Sequence, residues 1–505
     1  MGLSGAIGRL RSARSHKYTP VDTHSGLEHE EGGISDPRRA PRRMSRDRGI
    51  FRVSMIVAGI LLLFFLILVL PTAFSHEAKD VAISHLWGQY SPYFSVPSEL
   101  SPAVPADCTV TFVQVLSRHG ARDPTSRMTA VYNATLAEIR RTATSYGKGY
   151  EFLRDFEYTL GTDQLTRFGI DQMLDQGRAV ASQYHDLAKA EIPFIRASGQ
   201  DRVIDSAVHW LSGFRSSSHP GSTTPGDERD GIVVIPEHNG SNNTLDHGLC
   251  NAFESGPDAT LGDESRDAWA DIFIAPIVTR LSTNLPGAKI TRDEAVFLMD
   301  LCPFTTVADP LGVPSAFCHL FTADEWQSYD YYQSLGKYYG YGAGNPLGPT
   351  QGVGFVNELV ARLTGTPVRD ETSSNSSLNA SPETFPLDRG FYADFSHDNT
   401  MLSIFAALGL YNGTEELPTG RRVAPDDAGG FSASWAVPFA GRMIVEKMVC
   451  GEEPGEEELV RVLVNDRVMP LEWCGADELG RCELGDFVEG LSFARSGGSW
   501  GECFL

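Results

Sequence analysis

None of the eight cysteines forms a C-x-x-C pair, so the paired spacing of a structural zinc site is missing. Positive charge is also scarce. Against 65 Asp and Glu stand only 42 Lys and Arg, a formal charge of -23 over 505 residues, which excludes nucleic acid as the main partner. No internal repeat runs through the chain. With 41% apolar and 21% charged residues, wholesale disorder and collagen-like or coiled-coil architectures are excluded as well.

One segment lacks charge altogether. Val53 to Ser75 carries no formal charge over 23 residues, and its ILLLFFLILVL core has no polar face. At about 1.5 Å rise per residue it can span a hydrocarbon layer about 30 Å thick. It is too long, and starts too far into the chain, for an ordinary cleaved signal peptide. The 53 residues up to Val53 hold 11 Lys and Arg against 6 acids, several of the arginines crowded just before the apolar run. The positive-inside rule then leaves the N-terminus in the cytoplasm. These features predict a basic, disordered cytoplasmic tail (1–53), a transmembrane signal anchor (54–74) and a stalk and entry segment (75–104). The expected topology is a single-pass type II membrane protein with the remainder of the chain extracellular or luminal, and release of that remainder by a protease is left open. All eight cysteines and six N-x-S/T sequons, at Asn133, Asn239, Asn242, Asn375, Asn379 and Asn412, lie beyond the anchor. Both fit an oxidising, glycosylating compartment.

Beyond the stalk, strand-like and helix-like segments alternate, which predicts an α/β architecture. Ser216–Asp230 and Arg369–Pro386 read as surface loops. Three strand-to-helix junctions carry polar groups. TVTFVQVL (109–116) runs into SRHGARDPT. PFIRA (193–197) leads through SGQ into a helix from Asp201, with Val203, Ile204, Ala207, Val208 and Leu211 on one face. FYADF (391–395) meets SHDNT before an apolar helix over 401–410. In open α/β sheets, ligands bind at the carboxyl ends of strands beside helix N-termini.

The chemistry of these junctions converges on phosphate. Arg118 and Arg122 place two permanently charged, forked donors around His119. A neutral imidazole nitrogen can attack phosphorus, and Gly120 lets the backbone approach a bound group. His397 can donate to a phosphate oxygen and Asp398 can protonate the leaving oxygen. Taken alone, an Arg such as Arg202 in the first turn of a helix is more often solvated. The set predicts hydrolysis of a phosphomonoester through a phosphohistidine, with arginines stabilising the equatorial oxygens and no metal or cofactor required. A Ser-His-Asp hydrolase is disfavoured on the expectation that no G-x-S-x-G element is present.

SRHGARDPT and ADFSHDNT resemble the two signatures of the histidine acid phosphatases, specifically their fungal phytase branch. SNNTLDHGLCNAFE, LMDLCPF, YYGYGAGNPLGPTQGVGF, VPFAGRMIVEKMVC, VRVLVNDRV and DFVEGLSFARSGGSWGECF resemble the same branch, so the likeness covers about residues 100–505. The membrane-anchored N-terminus departs from that pattern. The resemblance implies that His119 is the phosphorylated nucleophile and Asp398 the proton donor, with Arg118, Arg122, Arg202 and His397 on the scissile phosphate. It implies a three-layer α/β/α domain with a mainly parallel central sheet (105–191 and 350–505) and a mainly helical insertion (192–349), the site lying between them. It also implies the pairs Cys108–Cys450, Cys250–Cys503, Cys302–Cys318 and Cys474–Cys482. Phytases line the cleft rim with cations, and Lys148, Arg154 and Lys337 are the candidates here. Some relatives carry two lysines before YYG, where this chain has Gly336-Lys337, and a tyrosine is more familiar at the position of Asp123.

The expected substrate is phytate. Two other readings stay open at this point: a broad-specificity acid phosphatase of the same fold, and a non-catalytic anchored ectodomain that binds phosphorylated ligands. Intact His119 and Asp398 argue against the second. The anchor, sequons and cysteines argue against a cytosolic mutase-like relative.

Overall fold

Alternation in the first strand decides where the layers form. Val113 and Val115 point to one side of β1 (Cys108–Arg118), and Phe112 and Leu116 to the other; all four are buried. The computed structural model of the chain describes residues 83–220, 229, 231–451 and 457–505. The expected tail (1–53) and membrane anchor (54–74) lie outside the described residues, as does the start of the stalk. Among the described residues no helix is long and apolar enough to cross a membrane.

The remaining strands are β2 (Phe194–Ser198), β3 (Ile232–Ile235), β4 (Phe391–Ser396), β5 (Arg442–Cys450), β6 (Glu458–Val464), β7 (Arg467–Val468) and β8 (Cys482–Glu483). They form one sheet in the order β3-β2-β4-β1-β5-β6-β7, with β8 also on β6. The helices of ten residues or more are α1 (Ser126–Thr142), α2 (Arg167–Gln183), α3 (Asp201–Ser218), α4 (Leu261–Asn284), α5 (Arg292–Ala308), α6 (Ala323–Tyr341), α7 (Val353–Thr364) and α8 (Asp398–Ala407). Val113, Val115, Ile195, Ala197, Phe391, Ala393 and Phe395 pack under Met173 and Val180 of α2 and Trp210 and Phe214 of α3. On the opposite face, Phe112, Leu116 and Tyr392 join Leu359 of α7 and Phe405 of α8 in a larger core that runs on into α4, α5 and α6. Helices therefore cover both sheet faces, as expected of the α/β class.

Three expectations need correction. The sheet is mixed, not mainly parallel. β3, β2, β4 and β1 pair in parallel, but β5 is antiparallel to β1, and β6, β7 and β8 continue antiparallel. For β5 and β6 the reason is connection length: residues 451–457 alone join them, too few for a helical crossover. Asn465 and Asp466, both at positive φ (49° and 67°), turn β6 back onto β7. Next, the segment 192–349 is not helical from its start. Its first 44 residues supply β2, α3 and β3 to the sheet layer, and the helical part begins after Ile235. Finally, the described end of the stalk is part of the fold. Trp87 and Val96 are buried, Gly88 N–H donates to Asp330 Oδ1 (3.2 Å), and Val96 N–H donates to Asn465 O (2.9 Å). Its aromatic side chains make burial the favourable state.

All eight cysteines are paired, as Cys108–Cys450, Cys250–Cys503, Cys302–Cys318 and Cys474–Cys482. Cys108 and Cys450 face each other across the β1–β5 ladder. Of the sequons, Asn133, Asn239 and Asn412 are exposed. Asn242 is half-buried and donates to Ser374 O (2.8 Å), while Asn375 caps a short helix through its Oδ1. The Asn379 amide is buried at both polar atoms, so this sequon is closed to a sugar in the folded chain.

Candidate active site

Parallel pairing brings the three junctions to one edge of the sheet. Arg118, the last residue of β1, lies opposite Ser396, the last of β4, and β2 lies on the far side of β4. His119 follows β1 directly and its N–H donates to Ser396 O (3.2 Å). His397 is the N-cap of α8, Asp398 is that helix's first residue, and Arg202 is the second residue of α3. The imidazoles of His119 and His397 meet edge to face, with centroids 5.7 Å apart. Two glycines set the depth of the His119 loop. A Cβ on Gly120 would lie 2.4 Å from Gly169 O, and one on Gly169 would lie 1.9 Å from Ala121 O. The loop and α2 therefore touch backbone to backbone.

His119 is fully buried and its Nδ1–H donates to Gly120 O (2.8 Å). That bond puts the lone pair on Nε2, which is buried and has no partner. Burial pulls the imidazole pKa well below its ordinary value, and Arg118, Arg202, Arg122 and His397 push in the same direction. The ring is held neutral and nucleophilic.

The cations around it are donors in waiting. Arg118 is anchored by Gln89 O and by Val437 O (2.8 Å), and its guanidinium lies 4.6 Å from the Phe439 ring centroid. Burial lowers its pKa to about 10, so it stays charged. Arg122 donates to Asp123 O (2.8 Å). The Nε atoms of Arg118, Arg122 and Arg202 are all buried without partners. An unpaired buried donor costs about 1–3 kcal/mol. Three such donors, on arginines whose charge acts on the His119 imidazole, give this part of the structure the capacity to hold an anion.

The carboxylates are held just as firmly. Asp398 Oδ2 accepts from Lys337 Nζ (2.6 Å) and lies 3.5 Å from Arg118 Nη2. Burial would raise its pKa, but Arg118 and Lys337 outweigh burial and hold it well below the usual carboxylate range. His397 Nε2–H donates to Glu237 Oε1 (2.9 Å). Glu237 follows β3, so a fourth strand end contributes to the site.

Of the expected rim cations, Lys337 is corrected. It is buried on α6, bonded to Asp398 and Asn399, and sits inside the site. Lys148 and Arg154 are exposed, Arg154 over the Tyr146 ring at 5.4 Å, and no hydrogen bond joins either to the site residues. Asp123 braces a neighbouring loop, since its Oδ1 accepts from Gly161 N–H (3.1 Å). The expected absence of a G-x-S-x-G element is corrected: Gly497–Gly501 is one, but it leads into a 3-10 turn near the C-terminus and follows no strand. Sequence reasoning missed Glu237, although IVVIPE is a β-branched run ending in an acid, and it missed Gln89. Glu237, Asp246 and His397 bring ligand-type atoms within 4.8 Å of one another. The hydrogen bond from His397 to Glu237 accounts for two of the three without an ion.

Residues 109–465 match the family model described as histidine phosphatase superfamily (branch 2). The chain belongs to that family. This histidine phosphatase is 52% identical over 429 residues to a protein named Phytase A from Aspergillus oryzae, covering 84% of this chain and 91% of the relative. The identity to Phytase A of Aspergillus fumigatus is also 52%, with the same coverage of both chains. The crystal structure of the phytase from D. castellii is similar, with a TM-score of 0.66 at 22% identity, over 83% of this chain and 87% of that one. The multiple inositol polyphosphate phosphatase of Bifidobacterium longum, in complex with inositol hexasulfate, gives a TM-score of 0.54 at 16% identity, over 81% and 97%. At these identities the two structures establish the shared fold.

Proposed function

We propose that this histidine phosphatase is a phytase, releasing phosphate from myo-inositol hexakisphosphate through a phosphohistidine. The observation that carries the reading is a neutral His119 whose Nε2 is buried without a partner, together with buried, unpartnered Nε atoms on Arg118, Arg122 and Arg202, the three arginines whose charge acts on that imidazole. Relatives about half identical over most of the chain bear the name Phytase A, which supports phytate as the substrate.

In this mechanism Arg118, Arg122, Arg202 and His397 hold the oxygens of the scissile phosphate. His119 Nε2 attacks phosphorus, the bond between phosphorus and the inositol ester oxygen breaks, and Asp398 gives its proton to that leaving oxygen. Water then attacks the phosphohistidine, Asp398 takes the proton, and His119 leaves neutral. The free site keeps Asp398 ionised through Arg118 and Lys337. A bound phosphate draws on the same cations, so Asp398 gains proton affinity as substrate arrives, and an acid medium supplies the proton. The topology predicted from the sequence, an N-terminal anchor with the enzyme outside or in the lumen, belongs to this proposal, as does glycosylation at the exposed sequons.

The test is phosphate release by the full chain between pH 3 and 7, with phytate and p-nitrophenyl phosphate compared and His119→Ala as the blank. Preference for phytate at acid pH is the expected result. Equal rates on both substrates would make the protein a broad acid phosphatase. Release no faster than the blank would overturn the enzyme reading.

A further inference from the structure

Helix α6 presents Lys337 to Asp398, but the residue before it, Gly336, has no side chain to offer. The space over that glycine is occupied. A Cβ on Gly336 would lie 3.3 Å from Arg266 Cδ and 4.0 Å from Arg266 Nη1. Arg266 belongs to α4, and a second glycine brings it there. A Cβ on Gly262, one turn earlier on α4, would lie 2.8 Å from both Gly336 O and Gly340 Cα. The two helices therefore meet backbone to backbone, and the next turn of α4 lays its arginine across α6. The guanidinium also rests against Tyr332, 5.5 Å from the ring centroid.

Arg266 is poorly satisfied where it lies. Its Nε is buried without a partner. Its ion pair with Asp263 (2.8 Å) joins side chains that are 37% and 71% exposed, a weak surface pair. Its charge nevertheless reaches the reaction centre. Burial is the main cause that lowers the pKa of the Lys337 ammonium; Asp398 opposes it, and Arg118 and Arg266 add to it. A forked cation with an unused Nε donor and only a weak surface partner, beside the turn that carries Lys337, suits a phosphate other than the one being cleaved.

We propose that Arg266 discriminates between substrates: its guanidinium binds a non-reacting phosphate of a polyphosphorylated substrate while another phosphate sits over His119. The proposal rests on reading the site as that of a phytase. It assigns no part in bond breaking to Arg266, so removing the residue costs a substrate with a single phosphate far less than it costs phytate.

The experiment is steady-state kinetics of the full chain at acid pH with phytate and with p-nitrophenyl phosphate. For Arg266→Ala and the bulkier Arg266→Gln, the ratio of kcat/KM for phytate to that for p-nitrophenyl phosphate should fall about tenfold, the loss of one hydrogen-bonded ion pair. Arg266→Lys should retain most of the ratio. Gly336→Lys placed in the Arg266→Ala background should restore part of it, because the cation re-enters the same space from the other helix. An unchanged ratio in both neutral variants, or an equal fall on both substrates, would overturn the proposal. If the unaltered enzyme releases no phosphate from phytate, it is the phytase reading itself that fails.

Discussion

Lys337 Nζ lies 2.6 Å from Asp398 Oδ2, so a cation expected at the substrate rim is bonded to the carboxylate proposed as the proton donor. Both side chains are at least 85% buried, and among the described residues neither has a comparable partner of opposite charge beyond Arg118. Lys337→Ala removes one of the charges that keep Asp398 ionised. The Asp398 pKa then rises, and its protonated form persists to higher pH. We expect the descending high-pH limb of kcat/KM to move upward, while kcat/KM at the optimum falls roughly tenfold or more from the lost charge-assisted bond. A pH–rate profile on p-nitrophenyl phosphate reads both effects. A limb that stays in place would mean that Lys337 does not govern the proton on Asp398.

Asp398→Asn leaves the shape of the site and removes the transferable proton. Loss of general acid catalysis costs about 10²–10⁴-fold when the leaving oxygen is an alkoxide. Phytate turnover should fall over that range, and p-nitrophenyl phosphate, whose leaving group needs little protonation, should fall far less. Equal losses on the two substrates would remove Asp398 from the proton-donor role.

Stability should decline from acid to neutral pH. Asp300 on α5 and Asp330 on α6 are enclosed, and burial pushes each carboxyl up to about 6 despite hydrogen bonds that oppose it. An unfolded Asp titrates near 3.9. Between about pH 4 and 6 the folded state therefore holds more protons than the unfolded one, and stability falls as pH rises, by on the order of 3 kcal/mol per group once both states are ionised. Asp394 acts with the opposite sign. Burial works against its charge, but Arg196 and Arg362 hold its pKa low, so its contribution is lost only as pH falls through that depressed value. Thermal unfolding at pH 4 and pH 7 measures the decline, and Asp300→Asn should flatten it. An equally steep decline in that variant would contradict the assignment.

Gly169→Ala tests the seat of the nucleophile. Its methyl would need the place of Ala121 O, only 1.9 Å away, and backbone cannot give way as a flexible side chain can. We expect kcat to drop at least tenfold, with a loss of about 1–3 kcal/mol in stability from overpacking. Full activity in a folded variant would show that the loop has more freedom than this packing allows.

The parts of the site that sequence made legible are those next to strand ends in chain order. Arg118-His119, Arg202 and His397-Asp398 each follow a β-branched or aromatic run, and the sheet brings those runs side by side. What stayed hidden depends on tertiary packing. Lys337 reads as a surface lysine in its own helix, and only the placement of α6 against α8 buries it on Asp398. Glu237 follows a strand of four residues, too short to stand out by periodicity. Arg266 reaches α6 because two glycines on different helices coincide, which no local pattern reports. The mixed sheet was hidden in the same way: pattern identified the three junction strands, which pair in parallel, whereas β5 to β8 were not read as strands and the short β5–β6 and β6–β7 connections make them antiparallel.

The most direct test of the account is to trap the covalent intermediate. The full chain is mixed with phytate at acid pH and quenched into base, where phosphohistidine survives, and the phosphorylated peptide is located by mass spectrometry with His119→Ala as the control. The account predicts one phosphate on His119, absent from the control and lost on acid treatment. Phosphate release from phytate with no phosphorylated His119 at any quench time, or with the label on another residue, would contradict it.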